Sequence, residues 1–273
     1  MASSPCKCVG GIRVLYWLYD IPTVLLIALF AVVFVGFTWL GDVLLRPVLR
    51  RLLHKQQRLN EMVGVSIACH CGFFGILLGL LAVATYQNFS DVDRVVTREA
   101  GLLRAFYRSI QSYPEPTRSQ TLPLIKDYVR YVIEEAWPEQ RRGRAAAGGV
   151  PRMNAVQNKL FAFEPQTKGQ EILHDRTVEQ FNQMADVRRQ RIQAADTGIA
   201  PAMWYVVAIG VLITIVLFWL LEMEPATQFI LGGLLAFFLS TVISVLVALD
   251  HPFRGEMSIG PDAYQAIYER MND

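Results

Sequence analysis

Four long apolar segments, separated by polar stretches, dominate the pattern of hydrophobic positions along the chain. They are Ile21–Leu40, Met62–Ala84, Ile199–Leu221 and Pro225–Leu249. About 20 apolar residues at a rise of about 1.5 Å per residue cover a hydrocarbon core of about 30 Å, so each segment is long enough to cross a bilayer. Because hydrocarbon offers the backbone no hydrogen-bond partners, each segment must satisfy its own amides and carbonyls. The pattern therefore predicts four transmembrane helices.

The stretch between the second and third spans predicts a helical soluble domain. Apolar residues recur there at three- and four-residue steps in Tyr86–Tyr113, in Leu122–Trp137 and in Gly169–Thr197. We expect the first of these helices to continue the second span and the second to stop at Pro138. We also expect a short helix at about Met153–Phe163, and a loop at 141–151, where small, basic and helix-breaking residues cluster. No segment alternates with the period of a strand.

These elements predict an all-α protein with four transmembrane helices and a helical soluble domain inserted between the second and third spans. The predicted parts are an N-terminal tail (1–20), a first transmembrane pair with a basic loop (21–84, loop 42–61), the soluble domain (85–198), a second transmembrane pair (199–249) and a C-terminal tail (250–273).

The charges bear on partners and on orientation. A net charge of +2 predicts no affinity for nucleic acid. The first loop holds five basic residues (Arg46, Arg50, Arg51, Lys55 and Arg58) against four in the two tails (Lys7, Arg13, Arg254 and Arg270). By the positive-inside rule, this difference places the first loop in the cytoplasm of a bacterial inner membrane and the soluble domain outside. Leucines and bases interleaved from Arg46 to Leu53 predict an amphipathic helix in the headgroup layer, either a simple anchor or a lipid sensor.

Two spans carry a face of small residues, which lets helix backbones approach closely. On the second span these are Gly64, Ala68, Gly72, Gly75 and Gly79, and on the fourth they are Gly233, Ala236, Ser240, Ser244 and Ala248. Such a face packs either within one subunit or, for the second span, around a shared axis of an oligomer. His70 lies on the second span as well. It is either a pore-lining, proton-sensitive group or a packed structural histidine.

No enzyme chemistry or metal site is predicted. Cys69, His70 and Cys71 are adjacent on one helix, and residues i and i+2 point in nearly opposite directions, so they do not converge on one ion. Glu134 and Glu135 diverge for the same reason. Nucleophile, phosphate-loop and dinucleotide motifs are absent from the sequence, and no cofactor is expected.

Several short motifs spread over most of the chain resemble the bestrophin-like family of four-span membrane proteins. They are Trp17–Pro22, Asn60–Glu61, Glu99–Leu103, Tyr107–Arg108, Tyr128–Arg130, Glu135–Pro138, Arg188–Arg191, Pro201 with Trp204, and Asp250–Glu256. The most specific is the Asp-x-Pro-Phe-x-Gly stretch, and Glu99, Trp137 and Pro138 belong to the same set. Ala136 departs from the family pattern, in which a glutamate commonly precedes the Trp-Pro pair.

The family name implies kinship with bestrophin anion channels, which are pentamers with a pore on the symmetry axis. The resemblance implies a homo-oligomer that conducts inorganic anions, with aromatic side chains of the second helix at a neck. Phe73 and Phe74 are the candidates for that neck. Their alternative role is in packing or in facing lipid. True bestrophins hold the corresponding domain inside the cell, which opposes the orientation drawn from the charges.

Two functions follow as alternatives. The first is an ion channel, with the small-residue face of the second span, His70, Phe73 and Phe74 lining the pore. The second is a non-conducting membrane scaffold or sensor whose helical domain binds partners. In both, membrane lipids and further copies of the chain are expected partners.

The stretch after the fourth span has an elementary structural explanation. Pro252 has no amide hydrogen and ends the helix, while Gly255 relaxes the turn. We expect Phe253 to pack back and Asp250 to cap a backbone amide. Arg254 and Glu256 are expected to pair with the soluble helices. This describes a structural latch rather than a ligand site.

Overall fold

The computed structural model describes residue 19, residues 21–45, residue 48 and residues 59–144, 146–195 and 197–272. Over these ranges the ordered backbone is helical and forms no strand, which confirms the all-α prediction. The amphipathic helix predicted at 46–53, most of the basic loop and nearly all of the N-terminal tail lie outside the described residues.

The helices are numbered here in chain order: α1 Thr23–Leu44, α2 Leu59–Gln111, α3 Thr117–Tyr131, a π-helix Val132–Ala136, α4 Trp137–Arg141, α5 Gly149–Phe161, α6 Lys168–Ala194, α7 Pro201–Leu220, α8 Pro225–Asp250 and α9 Asp262–Asn272. Among the described residues, α1, α2, α7 and α8 are long and apolar enough to cross a membrane. The prediction that the second span continues into the first soluble helix is confirmed, because α2 runs for 53 residues without a break.

The described residues within 1–87, 198–250 and 255–257 form the membrane unit. Its core is apolar and includes Leu26, Phe74, Ile215 and Leu246. Helix α1 packs along α8. The small-residue face of the fourth span is largely interior to the chain, with Ala236, Ser240 and Ser244 all buried. For that face, packing within one subunit is the observed arrangement.

Gly41 on α1 is in close contact with Trp219 on α7. The indole Nε1 of Trp219 donates a hydrogen bond to the carbonyl of Thr38 at 3.0 Å. The ring then lies so close to Gly41 that a Cβ at this position would overlap it. Glycine is therefore required where the indole crosses α1.

The soluble unit consists of residues 88–197, 251–254 and 258–273. Its core is built from the second half of α2, α3, α5, α6 and α9, around fully buried residues that include Phe106, Ile110, Val129, Leu160 and Tyr264. For α2, α3 and α6, the three- and four-residue steps that predicted the helices are the steps that bury their apolar faces.

The prediction that a helix stops at Pro138 is wrong. The chain passes through the π-helix Val132–Ala136 and continues as α4, with Pro138 in its first turn. In a regular α-helix, Pro138 would lack its hydrogen bond and its ring would press on the carbonyl of Glu134. The π-helix avoids this because the amide of Trp137 bonds to the carbonyl of Val132, five residues back.

Helix α9 was not predicted, since the C-terminal segment was assigned to a tail. Its buried residues Tyr264, Ile267 and Met271 follow three- and four-residue steps, so the signal was present in the sequence. Smaller differences concern helix ends. Helix α5 begins four residues before the predicted start at Met153, and α6 ends at Ala194 rather than Thr197.

Candidate functional site

Helix α2 carries the residues predicted to line a pore, and His70 lies on the side that packs against α7. The Nε2 atom of His70 is 3.0 Å from the carbonyl oxygen of Gly210 and 2.9 Å from the hydroxyl of Thr214. A carbonyl can only accept, so Nε2 bears the proton and donates. The imidazole also stacks on Phe74, with ring centroids 5.6 Å apart and planes 16° apart. His70 therefore connects α2 to α7 within one chain.

Phe74 shares this side of α2 and is 6% exposed. Its ring lies against Gly210 so closely that a Cβ there would overlap it. The absence of a side chain at Gly210 thus admits both the phenyl ring and the histidine contact to its carbonyl. The roles of His70 and Phe74 in a pore remain a prediction.

The small-residue face of α2 lies on a different side of the helix and is open. Ala68, Gly72, Gly75 and Gly79 are exposed, and Gly64 is half-buried. A Cβ added to any of these four glycines meets no described atom within 4 Å, apart from the backbone of its own helix. Phe73 is 78% exposed. The structure thus groups the small residues on an outward face, from which His70 and Phe74 are turned away.

Asn60 fixes the start of α2, which sequence reasoning had noted only as part of a motif. Its side-chain Nδ2 donates to the carbonyl of Glu222 at 2.9 Å, and its Oδ1 accepts from the amide of Glu222 at 2.7 Å. Both hydrogen bonds tie α2 to the loop between α7 and α8. No periodicity in the sequence could reveal this pairing, because the two residues are 162 positions apart.

Asp250 and Glu256 hold segments of the membrane unit together. Asp250 is 3% exposed. It accepts hydrogen bonds from the hydroxyl of Tyr19 at 3.0 Å and from the amide of Ile199 at 2.6 Å, as expected of a backbone cap. Glu256 accepts from the amide of Thr23 at 2.9 Å, at the start of α1, so the expectation that it pairs with soluble helices is wrong. A carboxylate is stabilised there by the free amides of the first turn.

Gly255 adopts a φ of +82°, and a Cβ there would lie 2.8 Å from the carbonyl oxygen of Tyr19. The positive φ and the close carbonyl both explain why the last residue of the Asp-x-Pro-Phe-x-Gly stretch is a glycine.

Phe253 and Trp137 meet in the soluble unit. Their rings pack edge to face with centroids 5.5 Å apart, as expected for a phenylalanine that packs back. The indole Nε1 of Trp137 donates to the carbonyl of Ile259 at 3.2 Å. Arg254 donates to the carbonyl of Arg141 at 2.7 Å, so it does contact a soluble helix, through the backbone.

A buried ion pair occupies the centre of the soluble unit. Arg191 Nε donates to Glu99 Oε2 at 2.6 Å, and Nη1 donates to the amide oxygen of Gln140 at 2.5 Å. Tyr128 donates to Glu99 Oε1 at 3.2 Å. Burial, together with the charge of Glu99, raises the pKa of Tyr128, so its hydroxyl stays a donor. The motifs pointed to Glu99 and Arg191 separately but not to their pairing.

Three arginines form a basic cluster in the soluble unit, which the sequence did not reveal. Arg104 and Arg108 are one helical turn apart on α2, and Arg270 of α9 is close enough to act on Arg104. Repulsion from Arg108 and then Arg270 lowers the pKa of Arg104. No acidic side chain among the described residues lies within ion-pairing distance of the three.

Comparison with known proteins adds the family context. A family model described as Bestrophin-like domain matches residues 28–264. The fold is similar to that of a bacterial bestrophin homologue from Klebsiella pneumoniae, with a TM-score of 0.66, 13% identity, and coverage of 90% of this chain and 97% of that one. A single-residue variant of that homologue gives a TM-score of 0.64 at 13% identity, with the same coverage of both chains. No curated protein matches the sequence.

Proposed function

The chain belongs to the bestrophin-like family, and from that premise we propose that it is a homo-oligomeric channel for small inorganic anions, with α2 lining the conducting route. The observation that carries the proposal is the open small-residue face of α2, which no described part of the same chain covers.

Helices in a bilayer gain little from hydrophobic burial, because lipid tails are as apolar as leucine side chains. Small residues at four-residue spacing serve close helix approach instead. On the fourth span that face is satisfied within the chain, whereas Gly72, Gly75 and Gly79 on α2 have no partner atoms among the described residues. A further copy of the chain is the natural partner, and repeated contacts of one kind close into a ring. The family resemblance favours five copies.

In such a ring, Gly64, Ala68, Gly72, Gly75 and Gly79 face the axis or the neighbouring α2 helix. Phe73, which is 78% exposed, supplies an apolar constriction of the kind that can gate by dewetting. His70 and Phe74 support this wall from behind through their contacts with α7.

The preference for anions is supported by the basic cluster of Arg104, Arg108 and Arg270. Clustered positive charge raises the local concentration of anions within about a Debye length, roughly 8 Å at physiological salt. The apolar stretches of the four described transmembrane helices offer little such charge, since each holds at most two charged residues.

Ion selectivity tests the proposal through the reversal potential of the reconstituted protein in a KCl gradient. The wild type should reverse near the chloride potential. Replacing Arg104 and Arg108 with glutamine should move the reversal toward zero. Arg94→Gln is the matched control, because Arg94 is on the same helix but is already paired with Asp91 at 3.0 Å. Reversal near the potassium potential in the wild type would contradict the proposal.

The proposal places the protein in a bacterial inner membrane with the first loop in the cytoplasm and the soluble unit outside. The first loop holds five basic residues and the two tails hold four, and this difference supports a cytoplasmic first loop.

A further inference from the structure

The membrane unit contains a groove between α1 and α7 of about 570 Å³. It exists because α1 packs along α8 but meets α7 at few positions. The floor is formed by buried side chains, among them Val207, Val211 and Ile243, so it is a well-packed surface. The rim includes the half-exposed or exposed side chains Val33 and Leu212.

The groove is long. Its lining on α7 runs from Pro201 to Ile215, which corresponds to about 21 Å at about 1.5 Å per residue. One leaflet of a bilayer holds roughly 15 Å of hydrocarbon, so the groove is long enough to take an acyl chain along the full depth of that leaflet.

The chemistry of the lining agrees with the shape. Only Tyr19, Trp204 and Tyr205 among the described lining side chains carry a polar atom, and the hydroxyl of Tyr19 already donates to Asp250. All three lie toward the end of the groove where α7 begins. Tyrosine and tryptophan concentrate at the level of lipid headgroups, so this end marks the interface and the other end points into hydrocarbon.

We propose that this groove binds one acyl chain of a membrane phospholipid, with the headgroup at the Trp204 end. The groove lies in a unit whose helices are surrounded by bilayer, so phospholipid is the molecule that it meets at high concentration. A length of about 21 Å spans the roughly 15 Å of hydrocarbon in one leaflet. This lipid site is independent of whether the protein conducts ions.

A phospholipid with a diazirine in the middle of one acyl chain tests the site. The purified full-length oligomer is incubated with the probe, diluted into lipid-free detergent and irradiated, and the labelled peptides are identified by mass spectrometry. Label should remain on groove residues such as Phe34 and Val211. It should be lost from Val24 and Val32, which are 75% and 73% exposed and do not line the groove.

Ala208→Phe should fill the groove and reduce that retained label to the level of the exposed surface. Ala202→Phe is the matched control, being the same change at an exposed position of α7 that does not line the groove. Val33→Phe blocks the groove from α1 and keeps the test valid if Ala208→Phe fails to assemble. Retained label that is unchanged in both blocking variants would overturn the proposal. So would groove label that is lost on dilution as readily as that on Val24, or the finding that the groove is filled by a protein segment cross-linked to it.

Discussion

Glu99 and Arg191 form an ion pair in which the exposed fractions of the two side chains are 0% and 2%. Glu99→Gln would leave the guanidinium buried without a counter-charge, and we expect a loss of about 3 kcal/mol in the free energy of unfolding. Thermal unfolding of the full-length protein in detergent measures this. Glu171→Gln is the control, since its pair with Lys168 at 2.8 Å is exposed to solvent, and such pairs contribute about 1 kcal/mol or less.

The ion pair also predicts that the losses in unfolding free energy from changing its two residues are not additive. Replacing both partners with apolar residues, Glu99→Leu with Arg191→Met, removes the buried charges together, so it should cost less than the sum of the single changes. Additive losses would show that the two residues contribute to stability independently of each other.

Gly210→Ala should destabilise the membrane unit, because the added methyl group overlaps the ring of Phe74. Overpacking of this kind costs about 1–3 kcal/mol. Gly36→Ala on α1 makes the same change where nothing lies within 4 Å, and it should be neutral or slightly stabilising. The thermal midpoints of the two variants in detergent measure this, and that of Gly210→Ala should be the lower. Equal midpoints would mean that α2 does not depend on its contact with Gly210.

His70→Ala should destabilise the membrane unit, because it removes the contacts of the imidazole with Gly210 and Thr214 and its stacking on Phe74. Thermal unfolding of the variant in detergent measures this, and a midpoint equal to that of the wild type would contradict a structural role for His70. Chloride flux of both forms, measured alongside, shows whether conduction depends on the same contacts.

The side of the soluble unit is decided by labelling Ser119→Cys in intact cells, in a chain whose four native cysteines are replaced. Ser119 is exposed near the start of α3. A membrane-impermeant thiol reagent should label it if the soluble unit lies outside the cytoplasm. Labelling only after the cells are opened would instead place the unit inside.

Much of the fold could be predicted from the sequence, because hydrocarbon and helix periodicity leave few alternatives. The four spans and the unbroken α2 followed from apolar length and from three- and four-residue steps. The turn at Pro252 and Gly255 followed from the chemistry of these two residues.

What could not be predicted depends on contacts between residues far apart in the chain. The pairing of Glu99 with Arg191 spans 92 positions, and no local pattern encodes it. Pro138 was predicted to stop a helix because proline disrupts a regular α-helix, and no pattern in the sequence indicated the π-helix that precedes it here. For the candidate site, the sequence identified α2 but could not show which of its sides faces α7. That side determines that His70 and Phe74 turn inward while Gly72 and Gly75 stay open.

The open face of α2 is proposed to join copies of the chain around an anion route. Chloride efflux from liposomes, combined with the mass of the assembled particle, is the decisive measurement. Gly72 and Gly36 are matched positions in a single chain, since a Cβ added at either one meets no atom of another described segment within 4 Å. We expect efflux from the wild type and from Gly36→Leu. Gly72→Leu should insert but lose both the oligomer and the efflux. Efflux and mass unchanged in Gly72→Leu, or no efflux above protein-free liposomes from an oligomeric wild type, would contradict the claim.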